Sequence, residues 1–307
     1  MSAFNRRQVF EGGLAMAASI CLPMSAESAT GSAARVDSNP GALSSDAPKS
    51  TPIKRKNNIR QSVSRWCYPK QTLDELCQYA VEIGLQAIDL LQPEEFEVPR
   101  RYGLLCSMGY VGGGEINHAL NRIENHDAIE AAMRKNLPAA TKAGVPNVIT
   151  FSGQRAGMSD EEGARNTIVG LKRLRPLIED HGVTLCLELL NSKHDHHDYM
   201  CDHSTWGVRV MEEVNSPSIK LLYDIYHMQI MEGDLIATIR EHGQWFGHYH
   251  TGGVPGRHEL DDQQEVNWAA VMRGIASTNY KGYVAHEFVP SRDPLTSLRQ
   301  AVDLCDI

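Results

Sequence analysis

Three absences limit the classes of protein to which this sequence can belong. None of its seven cysteines is in a CxxC pair and they are too sparse for a disulfide scaffold, so we expect ordinary core thiols. The 30 basic residues are outnumbered by 38 acidic ones, and the formal charge of −8 argues against a nucleic-acid-binding surface. No apolar run is long and well anchored enough to predict stable membrane insertion. A small polar molecule is therefore the expected partner, and a homo-oligomer is left open.

The amino-terminal segment is predicted to lie outside the fold. Arg6-Arg7 precedes an uncharged stretch at 12–24 rich in Ala and Gly, and Ala26-Glu27-Ser28 suits a signal peptidase. The pattern resembles a twin-arginine export signal over residues 1–28, followed at 29–57 by a flexible linker of small and polar residues. We expect a periplasmic protein, and the alternative is an uncleaved tail on a cytoplasmic one.

From residue 58 to 307, short apolar runs alternate with amphipathic segments, which predicts repeated strand–helix units. Thr72, Asn125 and Ser159 are typical residues for the start of a helix. The glycines expected to end helices in the left-handed conformation are Gly84, Gly144 and Gly182. The eight predicted strands lie near 60–66, 86–91, 103–108, 147–152, 183–188, 219–224, 245–250 and 282–287.

Eight strand–helix pairs indicate a single (β/α)8 barrel domain at 58–307, although spacing alone does not distinguish it from an open parallel sheet. No GxGxxG fingerprint follows the first strand, which disfavours a dinucleotide-binding sheet. Polar residues cluster at the carboxyl ends of strands five to eight and of strand one, where Arg65-Trp66 ends the run. This distribution favours a closed barrel, whose active site lies at that face.

Four polar residues lie where a predicted strand gives way to a loop: Glu188, Asp224, His250 and Glu287. Three carboxylates and an imidazole are hard ligands that suit Mn²⁺ first, with Mg²⁺, Co²⁺ or Zn²⁺ as alternatives. One acidic residue at a strand end is more often a helix cap or a salt-bridge partner. Four at corresponding places reverse that expectation, because several buried like charges are unfavourable without a cation. The sequence therefore predicts a site for one divalent metal ion.

The chemistry of such a site follows from its open coordination positions. A carbonyl and an adjacent hydroxyl of a substrate would chelate the cation, which would stabilise the enediolate formed when the intervening carbon loses a proton. Glu188 and Glu287, from opposite sides, are the predicted acid/base pair.

Residues in the following loops are candidates for substrate binding. His227 is three positions after the Asp224 ligand, and Arg257 follows strand seven, where a guanidinium would grip substrate oxygens. Lys193 is a weaker candidate, and Trp66 is expected either to form an apolar wall beside the substrate or to be core. The His-rich run at 193–198 is interpreted as an exposed loop rather than a second metal site.

From about residue 62 onward the chain resembles the xylose-isomerase-like barrel superfamily, and within it the hydroxypyruvate isomerase and ketose 3-epimerase branch. The matching motifs are Glu188-Leu-Leu-Asn191, Leu222-Tyr-Asp-Ile-Tyr-His227, Gly253-Val-Pro-Gly-Arg257-His-Glu and Gly282-Tyr-Val-Ala-His-Glu287. The resemblance implies the same four metal ligands, the same two proton-transfer residues, and substrate contacts from the positions of His227 and Arg257.

The chain also departs from the pattern of this branch. His250 stands where the hydroxypyruvate isomerases usually have an amide, as it does in the epimerases. Ser192-Lys193-His194 replaces the family's usual continuation, so the acidic residue that epimerases place there is expected to be missing. Substrate identity is left open by these two differences.

Four functions are compatible with these residues. The leading hypothesis is an aldose–ketose isomerase or an epimerase, with hydroxypyruvate as the named example of a substrate. The others are a lyase that cleaves 3-keto-glycosides after the same proton abstraction, a phosphodiester-cleaving nuclease, which the acidic charge disfavours, and a non-catalytic sugar-binding barrel.

Overall fold

A computed structural model describes residues 53–307, so the predicted signal and most of the predicted linker lie outside the described residues. The parallel strands of this part are β1 Arg60–Ser64, β2 Ala87–Asp89, β3 Leu105–Cys106, β4 Met108–Gly109, β5 Asn147–Thr150, β6 Thr184–Glu188, β7 Ile219–Asp224, β8 Phe246–Thr251 and β9 Tyr283–His286. The α-helices are α1 Leu73–Ile83, α2 His126–Ala143, α3 Asp160–His181, α4 Ser204–Val214, α5 Ile225–Met231, α6 Leu235–His242, α7 Trp268–Ser277 and α8 Pro294–Cys305.

The strands form a barrel rather than an open sheet. Their order is β3-β2-β1-β9-β8-β7-β6-β5-β4, so the first and last strands of the sequence are hydrogen-bonded neighbours. A parallel bridge between Leu91, just beyond β2, and Gly109 in β4 closes the ring of strands. The predicted (β/α)8 barrel is confirmed.

The third predicted strand is divided into β3 and β4 at Ser107. The carbonyl oxygen of Ser107 accepts a hydrogen bond from the side-chain amide of Asn147 at 3.0 Å, so a side chain replaces the usual backbone partner there. The first strand is also shorter than predicted, because residues 65–67 turn in a 3-10 helix directly after Ser64. This turn leaves Trp66 at the rim of the barrel.

Helix ends follow the local signals of the sequence. Thr72 caps α1 in a reciprocal capping box with Glu75, and Ser159 accepts a hydrogen bond from the backbone of Glu162 at the start of α3. Asn125 precedes α2 without a side-chain cap. The three glycines predicted to end helices do so with positive φ, at Gly84, Gly144 and Gly182.

The core lies inside the barrel and between the barrel and its helices. The strands are buried along almost their whole length, as expected of a parallel sheet covered on both faces. All six cysteines in the described part are buried and unpaired, in agreement with the expected core thiols. Arg55, in the predicted linker, donates hydrogen bonds to the carbonyl oxygen of Ile83 at the end of α1. Among residues 53–307, no helix has the length and apolar character needed to cross a membrane.

Candidate metal and substrate site

Parallel strand register brings the four predicted ligands to one end of the barrel. Glu188 and Asp224 are the last residues of β6 and β7, His250 is next to last in β8, and Glu287 directly follows β9. Asp224 is paired in register with His250, and all four residues are buried. Each offers one ligand atom, and these atoms all lie within 4.8 Å of one another. We refer to these four residues as the cage.

The donor atoms of the cage converge around the imidazole of His250. Its Nδ1 atom lies 2.6 Å from Glu287 Oε2, 3.4 Å from Glu188 Oε1 and 3.8 Å from Asp224 Oδ2. Three carboxylates in so small a buried volume repel one another unless positive charge lies among them. One imidazole nitrogen and three oxygens fit a hard divalent cation such as Mn²⁺ or Mg²⁺.

Arg257 supplies a fixed positive charge beside the cage. Its Nη2 atom donates a hydrogen bond to Asp224 Oδ2 at 2.6 Å and another to Glu287 Oε2, and its Nε atom donates to the backbone oxygen of Glu287 at 3.0 Å. Burial would lower the pKa of Arg257, but the charges of Asp224 and Glu287 outweigh burial and raise it. The guanidinium therefore stays charged and holds two of the cage carboxylates.

The two glutamates of the cage differ in electrostatic environment. Burial raises the pKa of Glu188 to about 7, and the nearby imidazole of His250 only partly opposes this rise. Burial would also raise the pKa of Glu287, but the charges of His250 and Arg257 outweigh burial and lower it to about 2. Two carboxyl groups whose pKa values are driven apart are suited to different roles in proton transfer.

His227 lies beside the cage because Asp224 starts a helix. Asp224 Oδ1 accepts a hydrogen bond from the backbone nitrogen of His227 at 3.2 Å, which caps α5 and leaves Oδ2 facing the cage. His227 Nε2 lies 2.7 Å from the Arg257 guanidinium, and Nδ1 lies 2.6 Å from the side-chain amide of Asn191. Burial and the charge of Arg257 lower the pKa of His227, so its imidazole is neutral near pH 7.

A cavity of about 340 Å³ opens over the cage. Its polar lining includes Glu188, Glu287, His227 and Arg257. Its apolar lining is formed by Trp66, Leu90, Tyr110, Ile116, Ile149, Phe151 and Leu190. The Trp66 side chain is 47% exposed, and its indole nitrogen donates a hydrogen bond to Glu287 Oε1. Trp66 therefore lines the cavity and also orients a cage carboxylate.

Residues 63–306 match the family model described as the xylose isomerase-like TIM barrel. The chain belongs to this family. It is 28% identical over 178 residues to a putative hydroxypyruvate isomerase of Homo sapiens, in an alignment that covers 55% of this chain and 64% of that one. Alignments with the first curated relatives span only 44% to 64% of the length of those relatives.

Solved structures share the xylose isomerase-like fold at low sequence identity. An AP endonuclease of family 2 from Brucella melitensis superposes with a TM-score of 0.71 at 21% identity and covers 78% of this chain and 97% of its own. The 3-keto-D-glucoside 4-epimerase YcjR of E. coli superposes with a TM-score of 0.68 at 17% identity, and the superposition covers 80% of this chain and 98% of the YcjR chain. Identities this low establish a common barrel and leave the reaction to be argued from the site.

In this xylose isomerase-like barrel, the loop after β6 is largely exposed, as expected, and it also reaches the cavity. Asn191 Oδ1 accepts hydrogen bonds from the backbone nitrogens of His194 and Asp195, which turns the loop back towards the barrel. Asp195 and His196 consequently line the cavity, whereas Lys193 lines a neighbouring cavity of about 510 Å³. The role of Lys193 as a substrate contact stays a prediction.

Asp195 is an acidic residue of the cavity lining that the sequence analysis did not assign to the site. Its Oδ2 atom accepts hydrogen bonds from the Asn191 amide at 2.7 Å and from the Tyr226 hydroxyl at 2.8 Å. Sequence reasoning missed it because the acidic residue was sought at the family's position and the surrounding run has the composition of an exposed loop. The Asn191 side chain was the sequence signal for this turn, since the side chain of Asn commonly accepts a hydrogen bond from the backbone two or more residues ahead.

Proposed function

We propose that this protein is a metal-dependent isomerase or epimerase of small α-hydroxycarbonyl compounds. The observation that carries the proposal is the buried cage beneath an open cavity, with Glu188 and Glu287 on the walls of that cavity. The relative named as a hydroxypyruvate isomerase supports the same reaction class. A divalent cation held by Glu188, Asp224, His250 and Glu287 would stabilise the negative charge of the enediolate form of the substrate.

The residues of the chain would move the proton. One glutamate of the Glu188–Glu287 pair takes the proton from the carbon between the carbonyl and the hydroxyl, and the electron pair of that C–H bond enters the enediolate. Return of a proton to the former carbonyl carbon, with transfer of the hydroxyl proton from one oxygen to the other, completes an isomerisation. Return of a proton to the opposite face of the original carbon completes an epimerisation. Trp66 and Arg257 hold Glu287 in place through hydrogen bonds to its carboxylate.

The decisive experiment is isotope exchange. Purified protein loaded with Mn²⁺ is incubated in D₂O with hydroxypyruvate and with a panel of ketoses, and carbon-bound deuterium is measured by NMR. We expect incorporation with at least one substrate and a loss of at least a hundredfold in Glu188→Gln and Glu287→Gln. Absence of exchange with every substrate, from protein shown to hold the metal, would overturn the proposal.

A second candidate function is cleavage of 3-keto-glycosides by the same proton abstraction followed by loss of the aglycone. The apolar wall of the cavity and the exposed face of Trp66 favour it, since they offer contacts to an aglycone rather than to hydroxyl groups. The fold shared with a 3-keto-D-glucoside 4-epimerase is compatible with such a substrate. Released aglycone, measured with a 3-keto-glycoside, distinguishes this reaction from isomerisation.

A further inference from the structure

We propose that Asp89 is a positioning residue that sets the tautomer and orientation of His250, and thereby the affinity of the cage for a divalent cation. The inference rests on the proposed metal site but is independent of which reaction the protein catalyses. Asp89 lies outside the cage, on the far side of His250, and 161 positions separate the two residues in the sequence.

Asp89 is held inside the barrel by side chains from two other strand segments. It is the last residue of β2 and its side chain has no exposed surface. Its Oδ2 atom lies 3.0 Å from His250 Nε2, and its Oδ1 atom lies 3.1 Å from His248 Nε2. The hydroxyl of Ser107 donates a hydrogen bond to the same Oδ1 atom at 2.5 Å. The carboxylate is therefore fixed from both sides and fixes His250 in turn.

The chemistry of the contact determines which nitrogen of His250 faces the cage. An ionised carboxylate only accepts hydrogen bonds, so His250 Nε2 must carry a hydrogen and donate it to Asp89. The remaining nitrogen, Nδ1, is the one that points towards the oxygens of Glu188, Asp224 and Glu287. Metal-binding histidines commonly donate their second N–H to a carboxylate, which orients the ring and raises its basicity as a ligand.

His248 shows that a buried histidine in contact with Asp89 is not necessarily a residue of the cage. It belongs to the same strand, contacts the same carboxylate and is equally buried, yet it contributes no atom to the cage. Of these two histidines, only His250 has one nitrogen on Asp89 and the other among the cage oxygens. Loss of the Asp89 charge should therefore act on the metal through His250.

The test compares Asp89→Asn with Ser107→Ala, which removes a different hydrogen bond to the same carboxylate. Dissociation constants for Mn²⁺ and Co²⁺ are measured by calorimetry on metal-free proteins whose thermal unfolding is recorded in parallel. We expect Asp89→Asn to bind each ion about 10- to 100-fold more weakly. Ser107→Ala should remain within about threefold of the wild type, because the contact between Asp89 and His250 persists.

A second measurement uses the wild-type protein and does not depend on the variant folding. In the zinc-loaded protein, ¹⁵N NMR should show His250 with hydrogen on Nε2 and none on Nδ1. The opposite tautomer, or an Asp89→Asn affinity within threefold of the wild type, would overturn the inference alone. A wild-type protein that binds no divalent cation would instead overturn the proposed function.

Discussion

At the scale of single residues, the cavity combines charges that select among substrates. Three cage carboxylates and Asp195 carry negative charge, and Arg257 and a bound divalent cation would offset most of it. Asp195 lines the cavity, and none of the hydrogen bonds that it accepts from described residues uses Oδ1. A neutral hydroxyl group can donate to that oxygen, whereas a substrate carboxylate would be repelled by it.

Asp195→Asn is therefore predicted to change substrate preference. Removing the charge should raise kcat/KM for hydroxypyruvate relative to a neutral ketose by roughly tenfold, the size expected for relief of one partly screened like-charge contact. Steady-state kinetics with both substrates provide the measurement. An equal loss of kcat/KM with the two substrates would show that Asp195 acts only on the structure of the loop.

At the scale of secondary-structure elements, Glu259 connects the loop after β8 to the segment between β9 and α8. Its carboxylate accepts hydrogen bonds from the backbone nitrogens of Ser291 and Arg292 and from the hydroxyls of Ser291 and Ser297. The side chain is buried, with 6% exposed. Burial would raise its pKa, but these hydrogen bonds lower it from 4.5 to about 2. The ionised form therefore holds the loop after β8 against the segment that follows β9.

Glu259→Gln is predicted to lower the free energy of unfolding by about 2 kcal/mol at pH 7, because a neutral amide accepts weaker hydrogen bonds than the carboxylate that it replaces. The folded-state pKa is below the unfolded one, so this stabilisation is complete above about pH 4.5 and is lost as the pH falls towards 2. Urea denaturation of both proteins at pH 7 and pH 3 measures the difference. An equal difference at the two pH values would contradict the electrostatic explanation.

At the scale of the whole molecule, the cage joins four consecutive strands of the barrel. Its ligands come from β6, β7 and β8 and from the residue after β9. Strand β9 also pairs with β1. A cation bound by the folded barrel alone stabilises it by mass action, since the unfolded chain lacks the converged ligands. Loss of the metal should therefore lower the stability of the entire barrel rather than that of one loop.

Removal of the metal is predicted to lower the melting temperature. At a free metal concentration about 100 times Kd, binding adds about 2.7 kcal/mol. That increment corresponds to roughly 5–10 °C for a domain of this size. Calorimetric scans with Mn²⁺ and with a chelator measure the shift, and Glu188→Gln combined with Asp224→Asn is the control that should not respond. A shift of the same size in this double variant would place the ion elsewhere.

Local signals determined a large part of this fold. Alternation of apolar and amphipathic segments predicted the strands, and capping residues such as Thr72 and glycines such as Gly84 marked helix ends, because these features depend on neighbours within one turn of the chain. Four polar residues at strand ends were likewise visible in the sequence, since parallel strands place those ends at one face. Their identity as metal ligands is the proposal that remains to be tested.

Tertiary structure alone decided which distant residues complete the site. Pairing of β1 with β9 closed the barrel, a turn after Asn191 brought Asp195 into the cavity, and Asp89 reached His250 across the barrel interior. The first and the last of these contacts join segments far apart in the chain and depend on strand register, and the turn after Asn191 depends on the direction that the loop takes. The periodicity of a sequence carries information about its own segment only, so these contacts could not be derived from it.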